Sequence, residues 1–438
     1  MKLKIFSMID YLLLACVLLL TTLGIVFIYS SGINSDGVLV SNEYLKQIVW
    51  ASVGLVAMTI TVFFDYRRFE RVSHIMYAAI LVVLLYTRIF GRYVNGARSW
   101  IGIGELGIQP SEITKIIFIL FLARFLCRSR GEASRIRFIK ALAIMAGPMG
   151  LILIQPDMGT ASVYLPIFLF MCFMANIPIR YLMLVLVTGM LTIVFTVLPI
   201  YESSIVRSSI PVVHVLTNTR LRLIAIGTCT IVAIIGLIGR ILTKRTYYYW
   251  IMFVFGVVTL ALLASIAGSK VLKPYQIQRL IVFLDPYSDS RGAGWNIIQS
   301  KIAIGSGNLW GRGFMHGTQS HYRFLPQQST DFIFSILSEE IGFAGGIFVY
   351  SLFLVILLRI IAIVKKTSNL YGSYIAMGIL GMFFFHFIVN VGMVMGIMPI
   401  TGIPLPFLSY GGSALLTNMI AIGLLMSISS RHLDFMVV

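Results

Sequence analysis

Three stretches of the chain set charged or hydrogen-bonding side chains beside the residues that punctuate helices and turns. The first reads Asn95-Gly96-Ala97-Arg98-Ser99-Trp100 and continues, after a short break, as Gln109-Pro110-Ser111-Glu112-Ile113-Thr114-Lys115. Ser111 suits the cap of a helix, with Glu112 in its first turn near the positive end of the dipole. Glu112 and Lys115 stand three residues apart and so share a face. A lysine inside an apolar span costs on the order of 2.5–3.5 kcal/mol at the bilayer centre unless it snorkels or faces a polar cavity. Both arrangements fit this pattern.

The second stretch, Gln155-Pro156-Asp157-Met158-Gly159-Thr160, is a tight turn between apolar runs, in which Asp157 is either a helix cap or a ligand group. The third is longer. Gln278-Arg279 precede Leu284-Asp285-Pro286, and Gln299-Ser300-Lys301 follow. Gly305, Gly307, Gly311 and Gly313 lead to His316-Gly317-Thr318-Gln319-Ser320, then to Leu325-Pro326-Gln327-Gln328-Ser329-Thr330-Asp331-Phe332-Ile333-Phe334. The glycines allow backbone amides to approach a ligand. Asp331 opens an apolar helix that carries Glu339 and Glu340 further in. As a helix-start charge it is worth about 0.3–1 kcal/mol. Partly desolvated by Phe332 and Phe334, it also has the makings of a general base.

The elements that must position these groups are membrane spans. Apolar residues make up 58% of the chain and charged residues 11%, far below the roughly one quarter charged of a soluble domain. Lipid must therefore be the main solvent. Apolar windows fall at 11–29, 47–64, 74–90, 112–127, 138–155, 159–176, 179–199, 221–242, 247–267, 332–364, 371–395 and 404–428, about twelve spans in an all-α polytopic membrane protein. The first, about 20 residues long, suffices to cross the hydrocarbon core and is read as retained. The run 332–364 is longer than a membrane needs, and Gly342, Gly345 and Gly346 mark an irregularity in it. Cys16, Cys127, Cys172 and Cys229 form no Cys-x-x-Cys pair and imply neither disulfide nor metal site.

Charge placement sets the orientation. Lys2 and Lys4, Arg67, Arg68 and Arg71, the group from Arg124 to Lys140, then Arg240, Lys244 and Arg245, and finally Arg359, Lys365 and Lys366 all fall on one side. The positive-inside rule makes that side the cytoplasm, with both termini inside. The net charge of +18 is then topogenic, which removes the case for nucleic acid. The stretch 268–331 falls outside, and a connection of that length is functional or disordered. Its aliphatic content argues for order. Trp295, Ile298 and Ile302 share one face of 293–305, as in a short helix lying in the membrane interface.

Taken together, Asn95–Trp100, Gln109–Lys115, Gln155–Thr160, Leu284–Asp289, Gly292–Gly307, Gly317–Ser320, Leu325–Glu340 and Pro399–Ser413 resemble the SEDS family of bacterial cell-wall proteins. The string Ile297–Gly307 and the Gly317-Thr318-Gln319 after it are similar to the elongation branch more than to the division branch. The resemblance spans nearly the whole of a single integral membrane domain, 1–438, apart from 200–246. It implies ten core spans, so 200–246 reads as an inserted helix pair and loop, and 268–331 as the extracytoplasmic catalytic loop.

The activity so implied is polymerisation of lipid II into β-1,4 glycan, by inverting transfer from an undecaprenyl diphosphate donor, for elongation and rod shape. The family's catalytic aspartate maps onto Asp331 and its supporting charges onto Arg98, Glu112 and Lys115. Trp100 and Gln319 lie in the matching motifs, and Arg279 and Lys301 are added for diphosphate contact on charge and location. Gln327 and Gln328 stand where the family usually has charged residues. The implied partners are a class B penicillin-binding transpeptidase and other elongation-complex proteins, in the inner membrane. No cofactor is assigned. A divalent cation, Mg or Mn, is left open, since Asp331, Asp285 and Asp289 offer oxygens without metal-ligand spacing. The alternative function is a lipid II flippase, in which Lys115 would mark a translocation path. No convincing inverted repeat of the transporter kind supports it.

Overall fold

A computed structural model describes residues 9–94, 97–103, 106–202, 211–271, 274–289 and 292–431. Lys2, Lys4, Asn95, Gly96 and part of 200–246 therefore lie outside the described residues. All twelve expected spans are helical. They are α1 (Tyr11–Ser31), α2 (Glu43–Phe63), α3 (Arg67–Phe90), α4 (Pro110–Arg128), α5 (Ser134–Ile154), α6 (Met158–Met174), α7 (Ile179–Tyr201), α9 (Thr219–Thr243), α10 (Thr246–Val271), α14 (Ile333–Lys366), α15 (Leu370–Val394) and α16 (Gly412–Ser430). Ten of them are long and apolar enough to cross a membrane. The other two are α4, which carries Glu112, Lys115, Arg124 and Arg128, and α6, which has 17 residues. The short α8 (Pro211–Thr217) precedes α9, and α11 (Pro274–Leu284), α12 (Ala293–Ser306) and α13 (Thr318–His321) fill the long connection.

Ser111 lies inside the first turn of α4 and does not cap it, the N-cap being Gln109, and three further local outcomes differ from the sequence expectation. Residues between α3 and α4 form a small antiparallel sheet, β1 (Arg92–Val94), β2 (Ala97–Ile103) and β3 (Leu106–Ile108), so the chain is not wholly helical. The last helix begins at Gly412, not 404, because Pro404 and Pro406 lack the N–H a helix interior needs. The long connection holds three helices rather than one, although α12 lies within one residue of the expected 293–305.

By packing, the chain divides into two compact units. The first comprises residues 1–177 and 299–438, the second 178–298. In the first unit α15 and α16 form the interior, with Ile375, Ile379, Met419 and Leu425 out of contact with solvent, and the start of α14 adds Ile336 and Leu337 to it. Asp10 caps α1 by accepting from the Leu13 amide at 3.1 Å, and the Arg359 guanidinium on α14 meets its other carboxylate oxygen at 2.8 Å. In the second unit α9 and α10 form a hairpin turned at Lys244, whose φ of 54° is left-handed. The Tyr247 and Tyr248 ring centres lie 4.1 Å apart just beyond the turn, with the rings tilted by 33°.

Along α14 the expected irregularity sits at Gly342, with φ 73° and ψ −162°. The break strands main-chain groups that a straight helix would pair, and a buried unpaired group is costly. The glycine-rich connection satisfies them. Arg312 and Gly313 amides donate to the carbonyls of Glu339 and Glu340, both at 3.0 Å, while Phe343 and Ala344 amides donate to Asn308 and Leu309 at 2.9 and 3.0 Å. A Cβ at Gly307 would run into the Ser338 carbonyl, and one at Gly311 into that of Glu340. At Gly307 and Gly311, then, the glycines bring backbone against a broken helix.

Candidate active site

The first polar stretch reaches the interior through α4. Pro110 is tolerated in its first turn, where no intrahelical N–H is needed. One face of that turn buries both charges, Glu112 at 3% exposure and Lys115 at 0%. Lys115 Nζ donates to Glu112 Oε2 at 2.8 Å and reaches His386 Nε2 on α15 at 3.3 Å. His386 Nδ1 lies 3.2 Å from the Pro404 carbonyl. An ammonium only donates and a carbonyl only accepts, so Nε2 must be the accepting nitrogen and Nδ1 the one bearing the proton. The imidazole is neutral and bridges lysine to main chain. Lys115 neither snorkels nor faces an open cavity. Its charge is closed off by Glu112 and His386.

The second stretch serves as a cap and a tether. Asp157 accepts from the Thr160 amide at 3.0 Å and hydroxyl at 2.8 Å, and from the Gln109 side-chain amide at 2.8 Å. The Gln109 main-chain amide donates to the Ser413 hydroxyl at 2.9 Å. A Cβ at Gly159 would strike the Thr401 carbonyl, so the irregular segment 399–411 passes directly over this turn. That segment is buried at Ile403, Leu405, Phe407 and Leu408. It is the common wall of the site.

Asp331 lies half-buried just before the broken helix α14. Its amide donates to the Gln327 carbonyl at 3.1 Å, and its own carbonyl accepts from Asn390 Nδ2 at 3.2 Å. The same Nδ2 donates to the Ile403 carbonyl at 2.8 Å. The Tyr410 amide donates to the Ser329 carbonyl at 2.8 Å, so the approach to Asp331 is pinned to 399–411 as well.

The Gly-Thr-Gln motif is held by the two glutamates of α14. Glu339 Oε1 accepts from the Thr318 amide at 2.8 Å, the Thr318 hydroxyl at 2.9 Å and the Gln319 amide at 3.1 Å. Glu340 accepts from the Ser30 hydroxyl at 2.5 Å and the Met315 amide at 3.1 Å. Both glutamates are buried, so their carboxylates fasten the connection to the helix instead of meeting a substrate.

Arg98, Trp100 and Lys301 take no part in the hydrogen bonds of the buried cluster. Arg98 is exposed on β2 and donates to the Ile89 carbonyl at 3.2 Å, so it does not join Glu112 and Lys115. Trp100 is half-buried on the same strand, its ring against Gly107. Lys301 is exposed on α12, whose Ser300 is buried and hydrogen-bonded to Ser335 and to the Val394 carbonyl, each at 2.7 Å. Trp295 and Ile302 remain exposed on that helix, as an interfacial face would be. Arg279, in the second unit, lies 5.8 Å from the centre of the Tyr275 ring. Among the described residues no three of His, Cys, Asp and Glu gather as metal ligands, and Asp285 already caps the Tyr287 amide at 3.0 Å. Among the described residues, then, no cluster of protein donors marks a divalent-ion site.

His386 and Asn390 were not singled out from sequence. The available signal was their polarity, four residues apart, inside an otherwise apolar span, where an ionisable residue marks function by default.

Helices with this burial and polarity define a multi-pass membrane protein with a closed charge network beside a helix-start carboxylate. The family model FtsW/RodA/SpoVE, described as "Cell cycle protein", matches residues 10–208 and 199–433, and the chain belongs to that family. It is 54% identical over 433 residues to the peptidoglycan glycosyltransferase RodA of Treponema pallidum, covering 99% of this chain and 100% of that protein. It is 32% identical to the peptidoglycan glycosyltransferase MrdB of Escherichia coli K12, covering 88% and 85%. Among solved structures, a chain of a peptidoglycan synthase complex that coordinates polymerization and crosslinking superposes with a TM-score of 0.67 at 26% identity, covering 97% of this chain and 98% of that one. The rod shape determining protein RodA of Thermus thermophilus shares the fold, with a TM-score of 0.59 at 23% identity and 97% of each chain covered.

Proposed function

We propose that the chain is a peptidoglycan glycosyltransferase that polymerises lipid II, with Asp331 as general base. The observation that carries the site assignment is the main-chain fixation of Asp331. Through Asn390 it is tied to the segment whose Pro404 carbonyl ends the Glu112–Lys115–His386 chain. A base must be held within hydrogen-bond reach of the proton it removes, and this anchoring supplies that precision.

In this reading the acceptor hydroxyl gives its proton to the Asp331 carboxylate as its oxygen attacks the donor's anomeric carbon. The bond to undecaprenyl diphosphate breaks on the opposite face, inverting an α linkage to β-1,4. The exposed cations Arg98 and Lys301 are candidates to meet the developing diphosphate charge, and Arg279 is a candidate by charge alone. Lys115 is sealed in its ion pair, so it stiffens the wall instead of touching the leaving group. Trp100 and Gln319 support substrate from the matching motifs. The partner is a class B penicillin-binding transpeptidase within an elongation complex.

Purified protein incubated with lipid II should yield glycan strands, and Asp331→Asn should lower their rate by about 10²–10⁴-fold. Asparagine keeps the shape, and the N-cap of α14 is the next residue, Phe332, so folding should persist. Strand synthesis by Asp331→Asn at the wild-type rate would end the assignment. A flippase needs no proton acceptor here, so lipid II transport without synthesis in that variant favours the enzyme.

The same reading places the protein in the inner membrane with 268–331 outside, on the asymmetry of the basic residues. An impermeant thiol reagent applied to spheroplasts should label Ser290→Cys and spare Lys365→Cys. The reverse pattern would overturn the orientation.

A further inference from the structure

We propose that His386 and Asn390 are positioning residues that hold Asp331 and Lys115 in one register through two consecutive main-chain carbonyls, Ile403 and Pro404. The inference rests on the polymerase reading above and adds residues that no motif marks. Both side chains leave α15 on one face, four residues or about one turn apart. Pro404 and Pro406 keep 403–406 out of any helix, so the carbonyls of Ile403 and Pro404 need donors from elsewhere. Asn390 supplies one at 2.8 Å and His386 the other at 3.2 Å.

Each clamp has a second arm that reaches the chemistry. The Asn390 amide also donates to the Asp331 carbonyl at 3.2 Å, and His386 Nε2 accepts from Lys115 at 3.3 Å. Base and buried ion pair, far apart in sequence, are thereby fixed to the neighbouring peptide groups of Ile403 and Pro404 by two side chains of one helix, α15. Asn390 acts only as a donor, since its Oδ1 is buried without a protein partner among the described residues. An acceptor in its place would face two carbonyl oxygens. His386 must both donate and accept, which a neutral imidazole does and no aliphatic side chain can.

The test is steady-state polymerisation of lipid II by purified variants, with thermal unfolding measured in the same detergent. Asn390→Ala and Asn390→Asp should each lower kcat about 10–100-fold with KM within about twofold, as a displaced but intact base would. Asn390→Ser carries the same expectation if Asn390→Asp fails to accumulate. His386→Gln keeps an acceptor near the Lys115 ammonium, and His386→Asn keeps a donor near Pro404. Both should recover part of the rate that His386→Ala loses. Wild-type kcat in Asn390→Ala and His386→Ala overturns the proposal. So does a loss that is equal across all His386 variants and tracks only the unfolding temperature. Asp331→Asn run in parallel separates the two readings. If it is fully active, the polymerase mechanism fails, whereas if it is inactive while the clamp variants keep wild-type kcat, only the clamp fails.

Discussion

Two pairs of spanning helices, one in each unit, are used in opposite ways. In the first, the apolar windows of α15 and α16 are 72% and 78% buried by protein. In the second, those of α7 and α9 are 6% buried each. Protein is thus the solvent for the first pair and lipid for the second. Where protein surrounds a helix, polar groups can be carried inward, provided each is satisfied. Accordingly Glu112, Lys115, His386, Asn390, Glu339 and Glu340 all lie in the first unit. The second presents Ile231, Ile235 and Leu242 outward, and its Arg222 finds Ser265 at 2.6 Å. Precision is concentrated where helices are enclosed.

The sharpest way to break this contrast is to open the buried ion pair. Lys115→Ala leaves the Glu112 carboxylate uncompensated at 3% exposure, and removing one partner of a buried pair costs about 3–5 kcal/mol. Thermal unfolding in detergent should show a destabilisation of that order, and polymerisation should be lost. The double variant Lys115→Met, Glu112→Gln removes both charges at similar volume, so most of the stability should return. Polymerisation should not. If the double variant makes glycan at the wild-type rate, the pair is structural only, and the enclosed unit is precise for folding alone.

A smaller effect is expected at the joint between the glycine-rich connection and α14. Gly307→Ala drives a methyl group into the Ser338 carbonyl. Overpacking of this kind typically costs about 1–3 kcal/mol. Because Gly313 and Arg312 bond the main chain of Glu340 and Glu339, the shift should also loosen the connection up to His321. Faster proteolysis within 308–321 at unchanged cleavage elsewhere would register it. A Gly307→Ala protein with wild-type unfolding and proteolysis would mean that the close approach is incidental.

Much of the helical framework was readable in the sequence, and the unreadable parts have physical causes. Helix positions follow from apolar windows, because a membrane requires about 20 such residues wherever it is crossed. Gly342 announced the break in α14, since only glycine adopts its φ of 73° without strain. The i, i+3 spacing placed Glu112 beside Lys115, as found. The sheet β1–β3 was missed because its outer strands, of three residues each, leave no alternation to detect, and the seven-residue β2 does not alternate apolar with polar. The helix start at Gly412 was missed because hydropathy counts Leu405, Phe407 and Leu408 as span and is blind to the absent proline amides. Glu339 and Glu340 drew attention as charges, but their partners Thr318, Gln319, Ser30 and Met315 lie too far along the chain for any local pattern to name them. His386 and Asn390 work through the carbonyls of residues 403 and 404, which leave no trace in side-chain identity.

The smallest expected effect lies in the second unit, and it bears on whether polar contacts there matter at all. Arg222 on α9 donates to the Ser265 hydroxyl on α10 at 2.6 Å. An interhelical hydrogen bond inside a membrane averages about 0.6 kcal/mol, because the separated helices also find partners for their polar groups. Ser265→Ala should therefore lower stability by roughly that amount. The glycan rate should be unchanged, since the side chain holds only a helix hairpin. The Arg222→Leu and Ser265→Ala double-mutant cycle isolates the pair from the separate effect of removing an arginine from the apolar region. A coupling of about 0.6 kcal/mol keeps the second unit on the tolerant side of the comparison. A coupling above about 3 kcal/mol, or a fall in polymerisation with Ser265→Ala, would instead place in the lipid-facing unit the same dependence on polar registration that marks the enclosed one.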